Sequence, residues 1–99
     1  MLIAVLDLRT SQADRPAALA QLDSEKEEIR AMPGSLDFRV YAARDDEEAV
    51  VVIHEWADEA SFAGYLASDA FARSGAVLGP LVTAPPVSRR FRAALLETV

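Results

Sequence analysis

Along this chain the hydrophobic pattern switches between a period of two and a period near 3.6, and the switches divide it into six elements. MLIAVLDLR (1–9) is apolar and β-branched until Asp7 and Arg9, which suits a central or half-buried strand. TSQAD (10–14) reads as a turn, with Asp14 placed to cap a helix and Pro16 tolerated in its first turn. From Arg15 to Met32 the residues Leu19, Leu22, Ile29 and Met32 recur at helical spacings, while Glu25, Lys26, Glu28 and Arg30 occupy other faces. Pro33-Gly34 ends this amphipathic helix. In SLDFRVYAAR (35–44), Leu36, Phe38, Val40 and Ala42 alternate with Asp37, Arg39, Tyr41 and Ala43, giving a strand with one greasy and one mixed face. RDDEE (44–48) is a short solvated turn, so AVVVIHEWA (49–57) should return antiparallel as the second arm of a hairpin.

Asp58 can cap the next helix, with Ser61 a weak echo of a capping box. Phe62, Tyr65, Leu66 and then Phe71 form its apolar side, and Gly75, Gly79-Pro80 and Thr83-Ala84-Pro85-Pro86 progressively end helical structure. VSRRFRAALLETV (87–99) is the final strand, although AALLE reads equally well as helix. The order βαββαβ predicts one domain over residues 1–99, of the α+β class: a ferredoxin-like, four-stranded antiparallel sheet with both helices on one face. The other face, carrying Arg39, Tyr41, Ile53 and Glu55, is left uncovered. A second copy of the same sheet is its simplest cover, so the expected partner is the chain itself, in a homodimer.

Composition narrows the function classes. A chain of 99 residues buries a real core but leaves little interior for a large closed cavity, so a roomy site has to open between layers or at a subunit boundary. Net charge is −6, and residues 1–69 hold fifteen acids against six bases, while residues 70–99 hold one acid against four bases. That balance excludes nucleic acid as the expected partner. It also singles out Arg89, Arg90 and Arg92 as a basic stretch expected to reach acidic or aromatic surface on the partner copy. Without cysteine there are no disulfides, thiolate nucleophiles or cysteine metal sites, and one histidine among scattered acids gives no metal-ligand spacing. No apolar run approaches a membrane span and no signal-peptide pattern opens the chain, so a soluble cytoplasmic protein is expected.

The only histidine and the only tryptophan, His54 and Trp56, stand two apart on the third strand and therefore share a face. The surrounding stretch from Met32 to Ala72, followed by GPLVTAPP (79–86) and a last strand, resembles the antibiotic biosynthesis monooxygenase domain, a branch of the dimeric α/β barrel superfamily with a ferredoxin-like monomer. The shared features are a Pro-Gly turn before a strand with Arg39-x-Tyr41, a third strand ending in Glu55-Trp56, and Leu66-x-Ser68 followed by Phe71. The resemblance implies oxidation of quinol or anthrone-like intermediates by molecular oxygen without metal or flavin, hence no cofactor. Departures matter. Tyr65 stands where many relatives have a histidine, and FARSGAV (71–77) contains no axial ligand, which disfavours the haem degradation of related proteins. Asp7 stands where active relatives often have an asparagine.

Dioxygen is a triplet and reacts slowly with closed-shell organic molecules, so a cofactor-free site has to make its substrate electron-rich. It needs a base, donors for the resulting anion and a dry aromatic pocket. His54 is the only side chain that ordinarily titrates near neutrality, at about 6.5. Trp56 supplies an indole N–H and a stacking surface. Asp7, if it neighbours His54 across strands, would orient the imidazole or take the proton itself, and the two groups should be coupled. Phe38, Phe62, Tyr65, Leu66 and Phe71 are the expected walls for a small aromatic substrate. Each has a plainer competing reading: an ordinary hydrogen-bonded histidine, a core tryptophan, a solvent-facing strand-end aspartate and helix residues that helical spacing alone makes core. Three functions follow: a cofactor-independent monooxygenase of a small quinol, anthrone or polyketide-derived aromatic; an isomerase or cyclase using the same base without oxygen; or a non-catalytic small-molecule-binding dimer.

Overall fold

A computed structural model describes residues 1–99 as strand β1 (Leu2–Arg9), helix α1 (Arg15–Arg30), the hairpin strands β2 (Ser35–Ala42) and β3 (Ala49–Trp56), helices α2 (Glu59–Leu66) and α3 (Asp69–Leu78), a short 3₁₀ turn at Gly79–Leu81, and strand β4 (Val87–Arg92). The sheet order is β2-β3-β1-β4, every neighbouring pair antiparallel. This is the ferredoxin-like βαββαβ arrangement, with one addition: the expected second helix is two. Ser68 divides it. Its hydroxyl donates to the Tyr65 carbonyl (2.6 Å), closing α2, and accepts from the Phe71 amide (3.2 Å), opening α3 as its N-cap.

Capping at the other helix starts differs. Asp58 accepts from the Ser61 amide at 2.7 Å, as its position suggests. Asp14 caps nothing, because its backbone is already in the helical region, and the Ser11 hydroxyl accepts from the Asp14 amide instead. The turn between α1 and β2 depends on Gly34, whose φ of +78° suits only glycine and whose missing Cβ would lie 2.0 Å from the Ser61 hydroxyl oxygen. Its carbonyl accepts from the Ala57 amide (2.8 Å), tying the start of β2 to the end of β3.

Strand alternation sorts the side chains into two layers. Leu2, Ala4 and Leu8 of β1, Phe38 of β2, and Val50, Val52, His54 and Trp56 of β3 are buried under the helices, where Ala18, Leu22 and Ile29 of α1 and Phe62 and Tyr65 of α2 meet them. Leu36 does not join them. The β2–β3 ladder slips between Ser35 and Asp37, so Leu36 is bulged out and 56% exposed. After Arg92 the chain makes one more reciprocal pair, Met1 with Ala93 (2.8 Å each way), and residues 93–99 then carry neither strand nor helix. Two of the three C-terminal arginines form ion pairs within the chain: Arg89 with Asp7 (3.3 Å) and Arg92 with Glu59 (2.8 Å). No helix is long and apolar enough to cross a membrane.

Candidate functional site

Four strands contribute one residue each to a single row across the covered face: Phe38, His54, Ala4 and Arg90. Trp56 lies two residues further along β3 on the same side, so the sequence-level parity of His54 and Trp56 holds. Both are buried, at 4% and 0% exposure. From above, α2 lowers Phe62 and Tyr65 onto the pair. Tyr65 stacks on Trp56 (5.2 Å between centroids, 25°), and Phe38, Phe62 and Tyr65 surround the imidazole at 5.5–5.7 Å.

Trp56 Nε1 donates to His54 Nδ1 at 2.9 Å. An indole N–H can only donate, so Nδ1 is an acceptor and the proton of the neutral ring sits on Nε2. That second nitrogen has no partner in the chain, yet it is not sealed off as Glu25 Oε2 and Ser35 Oγ are. It therefore opens onto the cavity that His54 lines, presenting an N–H. Burial holds the imidazole neutral, lowering its pKa to about 4, with the nearby Arg90 charge acting in the same direction. The Trp56 bond, which only the neutral ring accepts, favours the same form. Tyr65 is pushed the opposite way, up to about 12, by burial and then by the Glu25 carboxylate, so its hydroxyl also stays neutral.

Between the sheet, α3 and the segment from Gly79 to Pro86 lies a cavity of about 240 Å³. Its wall is hydrocarbon, aromatic ring or glycine except for His54, Ser74 and the Tyr65 hydroxyl. A dry cavity of about 150 Å³ takes benzene, so this one has room for a flat aromatic molecule of more than one ring. An adjoining space of about 210 Å³ shares Leu6, His54, Tyr65, Phe71 and Pro86 and reaches out to Phe62, Leu66, Ser88 and Arg90. A wider recess of about 500 Å³ beside Asp58 and Ser61 lies elsewhere, and the Asp58 carboxylate there is already engaged in capping α2.

The expected walls come together: Phe38, Tyr65 and Phe71 line the inner space, and Phe62 and Leu66 the outer one. Trp56 does not reach either wall, and its N–H is spent on His54, so it cannot hold a substrate anion. Asp7 is not brought to the site. Its partner in the β1–β3 ladder is Val51, on the face opposite His54, and its carboxylate meets Arg89. The expected coupling between Asp7 and His54 therefore has no geometric basis. Sequence reading missed Leu6, Leu22, Val52, Leu78 and Val82, which line the cavity as well as the core, together with Ser74 and Arg90. The parity of β1 held a signal for Leu6; nothing local marked Arg90. No three histidine, aspartate or glutamate side chains converge anywhere in the structure.

Fold and site together define a ferredoxin-like α+β domain with an apolar cavity between sheet and helices. Residues 1–76 match the family model for antibiotic biosynthesis monooxygenase, and the chain belongs to that family. Among solved structures it is similar to a proposed antibiotic biosynthesis monooxygenase from Nitrosomonas europaea, with a TM-score of 0.90 at 12% identity over 96% of this chain and 100% of that one. It is likewise similar to one from Deinococcus radiodurans (0.90, 17%, over 100% and 98%) and to the Mycobacterium tuberculosis protein Rv0793 (0.87, 20%, over 99% and 98%). At these identities the likeness is one of fold. No curated protein sequence matches it.

Proposed function

We propose that this protein is a cofactor-independent monooxygenase of a small aromatic substrate, working as a homodimer. The observation that carries the reading is the apolar cavity with the His54 Nε2–H at its wall: an apolar slot for flat rings with one directed donor. Membership of the family supports the reaction class. In the proposed step a doubly benzylic methylene becomes a ketone. Its carbon loses two hydrogens and four electrons to one O₂, one oxygen atom entering the carbonyl and the other leaving as water.

His54 takes a different part from the base that its residue type suggests. With its pKa near 4, removing a proton from a phenol of pKa about 10 is uphill by about six units, or ~8 kcal/mol, and its cavity-facing nitrogen already carries hydrogen. The N–H instead holds the oxyanion of a substrate that has lost its proton to water, keeping it electron-rich for O₂. The same arithmetic removes support from an isomerase or cyclase that depends on His54 as its base. Dimer formation is supported by the uncovered sheet face, where Tyr41, Val87 and Phe91 are 45–55% exposed beside Ile3, Val5 and Ile53.

Oxygen consumption measured with a panel of anthrones and quinols tests the reading, with one O₂ expected per ketone or quinone-type product from a methylene substrate. His54→Phe, which fills the space without a donor, should lower kcat/KM by ~10²–10³. Binding of panel members without any oxygen uptake would leave a ligand-binding dimer instead.

A further inference from the structure

Arg90 stands apart from the other arginines of this acidic chain. Arg9, Arg30, Arg39, Arg73, Arg89 and Arg92 each meet a carboxylate within 4.0 Å, and Arg15 donates to three backbone carbonyls. Arg44 lies exposed in the turn between β2 and β3. Arg90 has no carboxylate. Its guanidinium lies over the Phe62 ring, 4.9 Å from the centroid, and its Nε donates to the Ser88 hydroxyl at 3.3 Å. Phe62, Ser88 and Arg90 all face the outer cavity that His54 also lines.

The row across the sheet explains why this charge matters. Ala4, itself buried, is the residue between His54 and Arg90, so the two side chains stand on the same side of the sheet with one strand between them. The imidazole and the guanidinium, which has no carboxylate partner, thus border one space whose remaining wall is Leu6, Phe62, Tyr65, Leu66, Phe71 and Pro86 with the Ser88 hydroxyl. Arg90 is exposed at the edge of that space, so a neutral ring there leaves its charge to water alone. An anionic oxygen would pair with it, and charge-assisted bonds to guanidinium are the stronger kind.

We propose that Arg90 is the specificity-determining residue of this cavity, pairing an ionised oxygen on the aromatic ligand so that the protein takes acidic phenols and enols as their anions. The proposal rests on the reading of the cavity as the ligand site. It also supplies what His54 cannot, since a neighbouring cation favours the ionised form of the substrate without any protein base.

Two probes of the same ring system separate the possibilities: 2-hydroxy-1,4-naphthoquinone, an anion at pH 7, and its neutral methyl ether, each titrated calorimetrically into the full-length protein. The wild type should prefer the anion by roughly tenfold or more, and the preference should shrink as salt is raised. Arg90→Gln should abolish the preference while still binding the ether, and Arg90→Lys, which keeps the charge, should retain most of it. Equal binding of both probes by the wild type, or a preference that survives Arg90→Gln, overturns the role of Arg90 while leaving the cavity as the ligand site. Binding of neither probe overturns the cavity reading and the proposal together.

Discussion

On β3, neighbouring residues meet opposite surroundings. Val50, Val52, His54 and Trp56 lie under the helices at 4% exposure or less, whereas Val51, Ile53 and Glu55 line a face with no helix over it. Charge follows the same division. The ion pairs of the open face lie in contact with water: Asp7 with Arg89, Arg9 with Asp46, and Asp37 with Arg39 along its own strand, while Glu55 has no ion-pair partner. On the covered face of β3 the one titratable ring has lost its charge, and its hydrogen bond comes from an indole. Water stabilises ions on the open side, and its exclusion around the imidazole on the other makes His54 a neutral donor there.

The sharpest way to break this contrast is to put the same charge on adjacent residues. Val52→Asp buries a carboxylate with no partner at a position 1% exposed, which costs several kcal/mol out of the ~5–15 kcal/mol typical of a domain. It should unfold the chain by circular dichroism. Ile53→Asp should stay folded, and light scattering should report a monomer where the wild type is the proposed dimer. Equal damage from both would mean that the two faces are not as different as their burial suggests.

The neutral state of His54 makes stability depend on pH. Its folded pKa of about 4 lies below the unfolded value of 6.5, so below pH 6.5 the unfolded chain binds the proton more readily. The contribution is fully present above pH 6.5, falls as pH drops towards 4, and amounts to ~3 kcal/mol. Denaturant melts from pH 7.5 to 4 should show this loss, and His54→Gln should flatten that part of the curve. An equal slope in the variant would remove His54 as its source.

Trp56→Phe tests whether the indole sets the tautomer. Stability should fall by about 1–3 kcal/mol from lost volume and an unpaired Nδ1. With only one histidine in the chain, ¹⁵N spectra of the imidazole report its protonated nitrogen directly. The wild type should show hydrogen on Nε2 at neutral pH, and Trp56→Phe should show a mixture and a higher pKa. A wild-type Nδ1–H form would contradict the geometry. The smallest effect belongs to Asp7→Asn, which weakens an exposed pair worth no more than about 1 kcal/mol and should leave both the imidazole spectrum and turnover unchanged.

Much of this molecule could be read from its pattern because the decisive features are local. Periods of two and 3.6, the Pro33-Gly34 stop and the Asp58 cap follow from backbone sterics and neighbouring side chains, so the elements and the shared face of His54 and Trp56 were accessible without coordinates. The aromatic set around them followed from helical spacing in Phe62, Tyr65 and Phe71. Other features were settled only by tertiary structure. The face of Asp7 relative to His54 depends on the register between β1 and β3, strands forty residues apart in the chain, and parity within one strand says nothing about parity between two. The bulge at Leu36 and the break at Ser68 depend on which backbone groups find partners after folding. Strand β4, VSRRFR, has no clean alternation, so only its pairing with β1 turns Arg89 to water and Arg90 to the cavity. The pKa of His54 was undetermined because burial and a neighbouring acid pull in opposite directions. The fold supplied the burial and sent the acid to the other side of the sheet.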